Sequence, residues 1–108
     1  MNITVTPKPP YYAVIFTSIH TDKIDEKYNE LNDNLMDKIT ILPGFLGLDS
    51  VRAENKVGIT TIYFKDLESI KEWRKDSDHK YAKDFGKDLW YENYNVRIAK
   101  VEKEYGKI

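Results

Sequence analysis

The sequence contains no cysteine. That excludes disulfide staples, thiolate metal sites, iron–sulfur clusters and a cysteine nucleophile. Long hydrophobic runs are also missing. The longest covers residues 11–16, far short of the roughly 20 apolar residues that a spanning helix needs. No excess of one charge exists: 17 basic residues stand against 18 acidic ones, a net charge of −1. A nucleic-acid binder carries a basic excess to neutralise phosphates, so this balance argues against that class. The opening residues Met1-Asn2-Ile3-Thr4 lack the basic and apolar regions of a secretion signal, and the expected location is the cytoplasm. Neither G-x-S-x-G, H-E-x-x-H nor a phosphate loop occurs. The only histidines are His20 and His79, and no carboxylates stand at ligand spacing around them, so no metal site is expected.

What is present fits one domain over residues 1–108, with residues 1–10 as an extended arm because Pro7, Pro9 and Pro10 disfavour helix. Residues 11–19, YYAVIFTSI, are aromatic and β-branched and predict a strand. Both of its alternating sets, Tyr12/Val14/Phe16 and Ala13/Ile15, are apolar, which predicts cover on both faces. Ile24, Tyr28, Leu31, Leu35 and Ile39 form one helical stripe, capped by Thr21 or Asp22 and ended before Pro43-Gly44. Strands over 45–53 and 57–64 follow as a hairpin, with Asn55 suited to the left-handed turn position. Asp66 caps a second helix with Leu67, Ile70 and Trp73 on its apolar side. That helix is expected to break near Ser77-Asp78 and resume with Ala82, Phe85 and Leu89. Irregular chain is expected over 86–91. A last strand over 94–105 shows a parity change between Ile98 and Ala99, where a bulge is expected.

The order β-α-β-β-α-β is the ferredoxin-like α+β arrangement: a four-stranded antiparallel sheet with two helices on one face. The other face needs cover. A second copy of the chain supplies it most simply, so a homodimer is expected.

Three segments add a resemblance. They are Pro9-Pro10-Tyr11-Tyr12-Ala13-Val14-Ile15-Phe16-Thr17-Ser18; Pro43-Gly44-Phe45-Leu46-Gly47-Leu48-Asp49-Ser50-Val51-Arg52 with Gly58-Ile59-Thr60; and Trp73-Arg74, His79, Ala82, Gly86, Trp90-Tyr91, Tyr94 with Arg97-Ile98-Ala99-Lys100-Val101-Glu102. Together they resemble the antibiotic biosynthesis monooxygenase family. The resemblance implies a dimeric α/β barrel with a small-molecule pocket between sheet and helices. It also implies oxidation of electron-rich aromatics by O₂ without metal or flavin, so no cofactor is expected. Fold alone does not fix chemistry, and a module that binds a small molecule without turnover is the alternative. The family's haem-degrading branch carries an Asn on the first strand and a His ten positions after a Trp. Here Lys83 stands ten after Trp73, and no Asn lies between residues 11 and 19. Haem degradation then requires His79 to ligate in a different geometry. Two further departures affect the polarity of the pocket. Thr61-Ile62-Tyr63-Phe64 stands where the pattern has a Ser and a Trp beside the Tyr, and Lys83 stands where it has Gln.

The residues that would carry chemistry are few. His79 is the candidate general base, because an imidazole near pH 7 can take the proton of an acidic phenol. Trp73, Trp90, Tyr91, Tyr94, Phe16 and Tyr63 are the candidate walls for a small aromatic molecule, and each is equally suited to core or dimer packing. Arg97 is the candidate clamp for a carboxylate or phenolate, or else a salt-bridge partner of Asp49, Glu102 or a second copy. An RNA-recognition module shares the element order. It needs a basic third strand bearing rings, and residues 57–64 hold no Lys or Arg.

Overall fold

The computed structural model describes residues 3–75 and 89–108. In chain order the elements are β1 (Tyr11–His20), α1 (Glu26–Ile39), β2 (Phe45–Arg52), β3 (Val57–Phe64), α2 (Leu67–Arg74) and β4 (Tyr91–Val101). The sheet order is β2-β3-β1-β4, and every pairing is antiparallel. This is the ferredoxin-like α+β fold.

The alternation of β1 decides the layers. Tyr12, Val14, Phe16, Ser18 and His20 point toward the helices. Val14 packs with Ile62 and Phe64 of β3, Ile39 of α1 and Ile70 of α2 in one buried cluster. Each such side chain, taken fully out of water, contributes about 1.5–3 kcal/mol. The stripe read on α1 holds: Tyr28, Leu31, Leu35 and Ile39 are its inward positions, joined by Met36. The opposite set of β1 faces the outer side of the sheet. Tyr11 and Ala13 are buried there as well, at 5% and 4% exposure. The N-terminal arm accounts for part of that cover. Thr4 donates its amide to Asp49 Oδ1 at 3.0 Å and its hydroxyl to the Leu48 carbonyl at 2.7 Å. The arm passes close over Gly47, whose φ of +151° marks a register shift in β2, and a side chain there would meet Thr4.

Four details differ from the sequence reading. The cap of α1 is Asp25, whose side chain accepts from the Tyr28 amide at 3.1 Å. Thr21 is engaged elsewhere, donating to the Leu89 carbonyl at 2.7 Å and accepting from the Lys23 amide. In the β2–β3 turn the left-handed residue is Lys56 (φ 72°), not Asn55. Asn55 instead accepts from the Val57 amide through its side chain at 3.2 Å. β4 starts at Tyr91, three residues before the expected strand, and no bulge interrupts it between Ile98 and Ala99. The parity change there reflects apolar residues on both faces of a regular strand. The irregularity lies at its other end, where Ile19 pairs with Asn93 but His20 pairs with Tyr91. The expected break and continuation of the second helix fall outside the described residues.

Among the described residues, no helix is long and apolar enough to cross a membrane.

Candidate functional site

The bulge at the start of β4 builds the site. In a regular strand Tyr91 and Tyr94, three apart, point to opposite faces. The extra residue, Glu92, turns both toward the helices. They meet on Phe16 of β1: ring centroids lie 5.4 Å apart for Phe16–Tyr91, 5.8 Å for Phe16–Tyr94 and 5.9 Å for Tyr91–Tyr94. Tyr28 of α1 extends the cluster to the fully buried Trp90 at 5.1 Å, edge to face. Such offset and T-shaped contacts suit the ring quadrupoles.

His20 stands inside this ring of aromatics. It is 8% exposed, with Tyr28 at 5.0 Å and Tyr91 at 5.4 Å between centroids. Its Nε2 is buried and has no hydrogen-bond partner among the described residues. Burial, followed by the nearby Arg52 guanidinium, holds its pKa down to about 4, so the imidazole is neutral across the physiological range. Burial also pushes the Tyr91 phenol well above its usual value, and the charge and hydrogen bond of Tyr28 act in the same direction.

Arg52 flanks the cluster on the β2 side. Its Nη1 donates to the Lys56 carbonyl at 2.6 Å and its Nη2 to Ser18 Oγ at 2.8 Å. Ser18 is 1% exposed, so this bond satisfies a buried hydroxyl. Lys56 pairs with Asp22 at the rim.

Of the candidate residues, Phe16, Tyr91, Tyr94 and Trp90 are brought together. Trp73 lies elsewhere. It packs on Phe64 at 5.7 Å and borders an open groove of about 320 Å³ between α1 and α2 with Leu35, Ile41 and Leu42. Tyr63 is on the outer face of the sheet. Its hydroxyl donates to Asp49 Oδ2 at 3.0 Å, and its ring meets Tyr11 at 5.9 Å. Burial and the Asp49 bond push its phenol up to about 12. Arg97, paired with Ile15, is exposed on that same outer face. One pocket cannot be lined by all of these side chains, because the sheet separates them. His79 lies outside the described residues.

Sequence reasoning missed His20, Tyr28, Ser18 and Arg52. A histidine closing an apolar strand was the available signal. Its partners come from α1, β2 and β4, which only the fold brings together.

The fold is that of the antibiotic-biosynthesis-monooxygenase-like proteins. Rv0793 from Mycobacterium tuberculosis superposes with a TM-score of 0.75 at 12% identity, covering 89% of this chain and 99% of that one. A protein of Caulobacter crescentus CB15, provisionally named an antibiotic biosynthesis monooxygenase, gives 0.73 at 12% identity over 87% and 92%. One of the same provisional name from Nitrosomonas europaea gives 0.68 at 15% identity over 90% and 94%. At these identities the likeness is one of fold. No protein-family model matches the chain. The uncharacterized protein YqjZ of Bacillus subtilis (strain 168) is 41% identical over 102 residues, 94% of this chain and 89% of that protein. The chain belongs to the YqjZ family.

Proposed function

We propose that this protein binds a small, flat, electron-rich aromatic or quinone-like molecule and oxidises it with O₂ as a cofactor-independent monooxygenase. The observation that supports this most is the Phe16–Tyr91–Tyr94 cluster, continuous with Tyr28 and Trp90 on the helix side of the sheet. Apolar aromatic walls with a few polar groups are what such ligands need. For a phenol the balanced reaction is phenol plus O₂ giving quinone plus water. One oxygen atom enters the ring, the other leaves as water, and the substrate supplies all four electrons. His79 is the proposed base that forms the reactive phenolate. Trp73, Tyr63 and Arg97 serve this reading only through the core or a homodimer partner.

One observation favours a second reading, binding without turnover. His20, the imidazole inside the cluster, has a pKa of about 4. An ordinary phenol titrates near 10, so proton transfer to His20 is uphill by about 8 kcal/mol. His20 therefore does not replace His79 as a base for simple phenols.

The test is titration of the purified protein with phenols, quinols and haem, followed by absorbance under air and under nitrogen. Oxygen-dependent loss of an aromatic chromophore without added metal, abolished by His79→Ala, supports the monooxygenase. Binding with an unchanged chromophore supports the second reading. Haem turnover would overturn both.

A further inference from the structure

The two edges of the sheet are finished differently. At β2 the N-terminal arm crosses the edge strand, Thr4 bonds the Leu48 carbonyl, and a register shift falls beside Gly47. β4, the other edge, pairs with β1 on one side and with no strand on the other among the described residues. It is 11 residues long, contains no proline, and is regular from Asn93 to Val101. Such an edge presents a row of backbone N–H and C=O groups that another extended chain can pair with.

Beside that edge, on the helix side of the sheet, α2 and β4 border a groove of about 390 Å³. Its floor is apolar: Leu67 and Ile70 from α2, and Ile98 from β4. Its rim is Lys71, Arg74 and Lys75, with no carboxylate among the described residues that line it. Val96 and Lys100 share the helix side of β4 with Ile98, and Leu67, Val96 and Ile98 are all exposed. Lys71 and Arg74 have no ion-pair partner among the described residues. Lys75 meets Glu72 at 3.6 Å in an exposed pair, and Glu72 itself borders the groove toward α1. Cations in the last turn of α2 complement the helix dipole. The dipole does not account for the apolar floor left in water beside them.

We infer that the groove and the β4 edge together bind an extended acidic peptide segment of a partner protein, added to the sheet as a further strand. An extended chain, unlike a small molecule, satisfies a whole row of backbone groups. In the added strand alternate side chains fall on the helix side. Apolar ones there cover Leu67, Ile70 and Ile98. Carboxylates beside them meet Lys71, Arg74, Lys75 and Lys100. A basic segment would bring like charge to the same rim and is disfavoured. The inference depends neither on the aromatic cluster nor on turnover.

The experiment measures the fluorescence anisotropy of two labelled hexapeptides, alternating Glu-Val and alternating Lys-Val, with the full chain. Amide hydrogen exchange of the chain is followed with and without peptide. The expected result is that Glu-Val binds at least about tenfold more tightly than Lys-Val and weakens as salt is raised. It should also slow exchange at alternate amides of residues 93–100. Lys71→Glu combined with Arg74→Glu should abolish the preference for Glu-Val. Equal binding of the two peptides, a preference that survives the charge reversal, or binding that leaves β4 exchange unchanged overturns the inference. Failure of both peptides to bind overturns it as well, and binding to phosphatidylglycerol vesicles in that case assigns the patch to a lipid surface. Slow exchange along the β4 edge before any peptide is added assigns the edge to a second copy and also overturns it. If the double variant fails to fold, the peptide comparison and the exchange pattern of the unmodified chain decide the matter alone.

Discussion

Arg52 reaches from β2 across β3 to donate Nη2 to the buried Ser18 hydroxyl of β1 at 2.8 Å. It crosses β3 at Gly58, which pairs with both Arg52 and Ser18. A side chain at Gly58 would collide with the guanidinium. The pair links the hairpin end of the sheet to the strand that carries His20.

Gly58→Ala is therefore expected to displace the guanidinium and leave Ser18 buried without its donor. Steric relief is easy, because the end of a long side chain moves. The lost bonds are the main effect, about 1–2 kcal/mol by urea denaturation. In an Arg52→Ala background the same substitution should be nearly neutral. A double-mutant cycle with no coupling would show that the contact contributes nothing.

Acid should destabilise the protein in two separate windows. His20 titrates near 6.5 when unfolded but near 4 when folded. Below pH 6.5 the unfolded state binds more protons, so stability falls as pH drops from 6.5 to 4, by about 2–3 kcal/mol in all. Asp49 behaves differently. Burial raises its pKa, but the bonds from Thr4 and Tyr63 outweigh that and hold it below the usual value. Its stabilisation is present above the unfolded pKa of 3.8 and is lost only at lower pH. Urea midpoints at pH 7 and pH 4.5 should differ in the unmodified protein and much less in His20→Leu.

Tyr63 should titrate late. Burial and the Asp49 carboxylate place its phenol at about 12. Difference absorbance near the phenolate band should show that the step missing from Tyr63→Phe lies above the ordinary range near 10. Because Tyr63 is on the outer face, the substitution should leave aromatic binding unchanged while lowering stability by about 1 kcal/mol. A weakened ligand affinity would place the site on the wrong face of the sheet.

The outer face is where a homodimer seam is expected. Ile15, Thr17 and Ile19 lie there beside Val51 and Ile59, which are 66% and 44% exposed. Light scattering at micromolar concentration should give twice the chain mass, and Ile59→Glu should give one chain mass. A monomeric unmodified protein contradicts the expectation.

The element order and the inward stripe of each helix were legible in the sequence. The Tyr28–Leu31–Leu35–Ile39 stripe and the Asp66 cap depend on neighbours within one helix, and the alternation of β1 depends on its own pleat. Local periodicity carries such features directly. The absence of cysteine likewise removes thiolate and disulfide chemistry, because composition does not depend on how the chain folds. The site was not legible in this way. Phe16, Tyr91 and Tyr94 share a face only because a bulge at Glu92 reverses the parity of β4, and that bulge is set by pairing with β1. Trp73 and Tyr63, read as walls of the same pocket, are separated from the cluster by distance and by the sheet itself. His20 gave one local hint, its place at the end of an apolar strand. Its burial and its neutral charge come from Tyr28, Arg52 and Tyr91, three residues on three other elements, and contacts of that range are decided by tertiary packing rather than by any spacing along the chain.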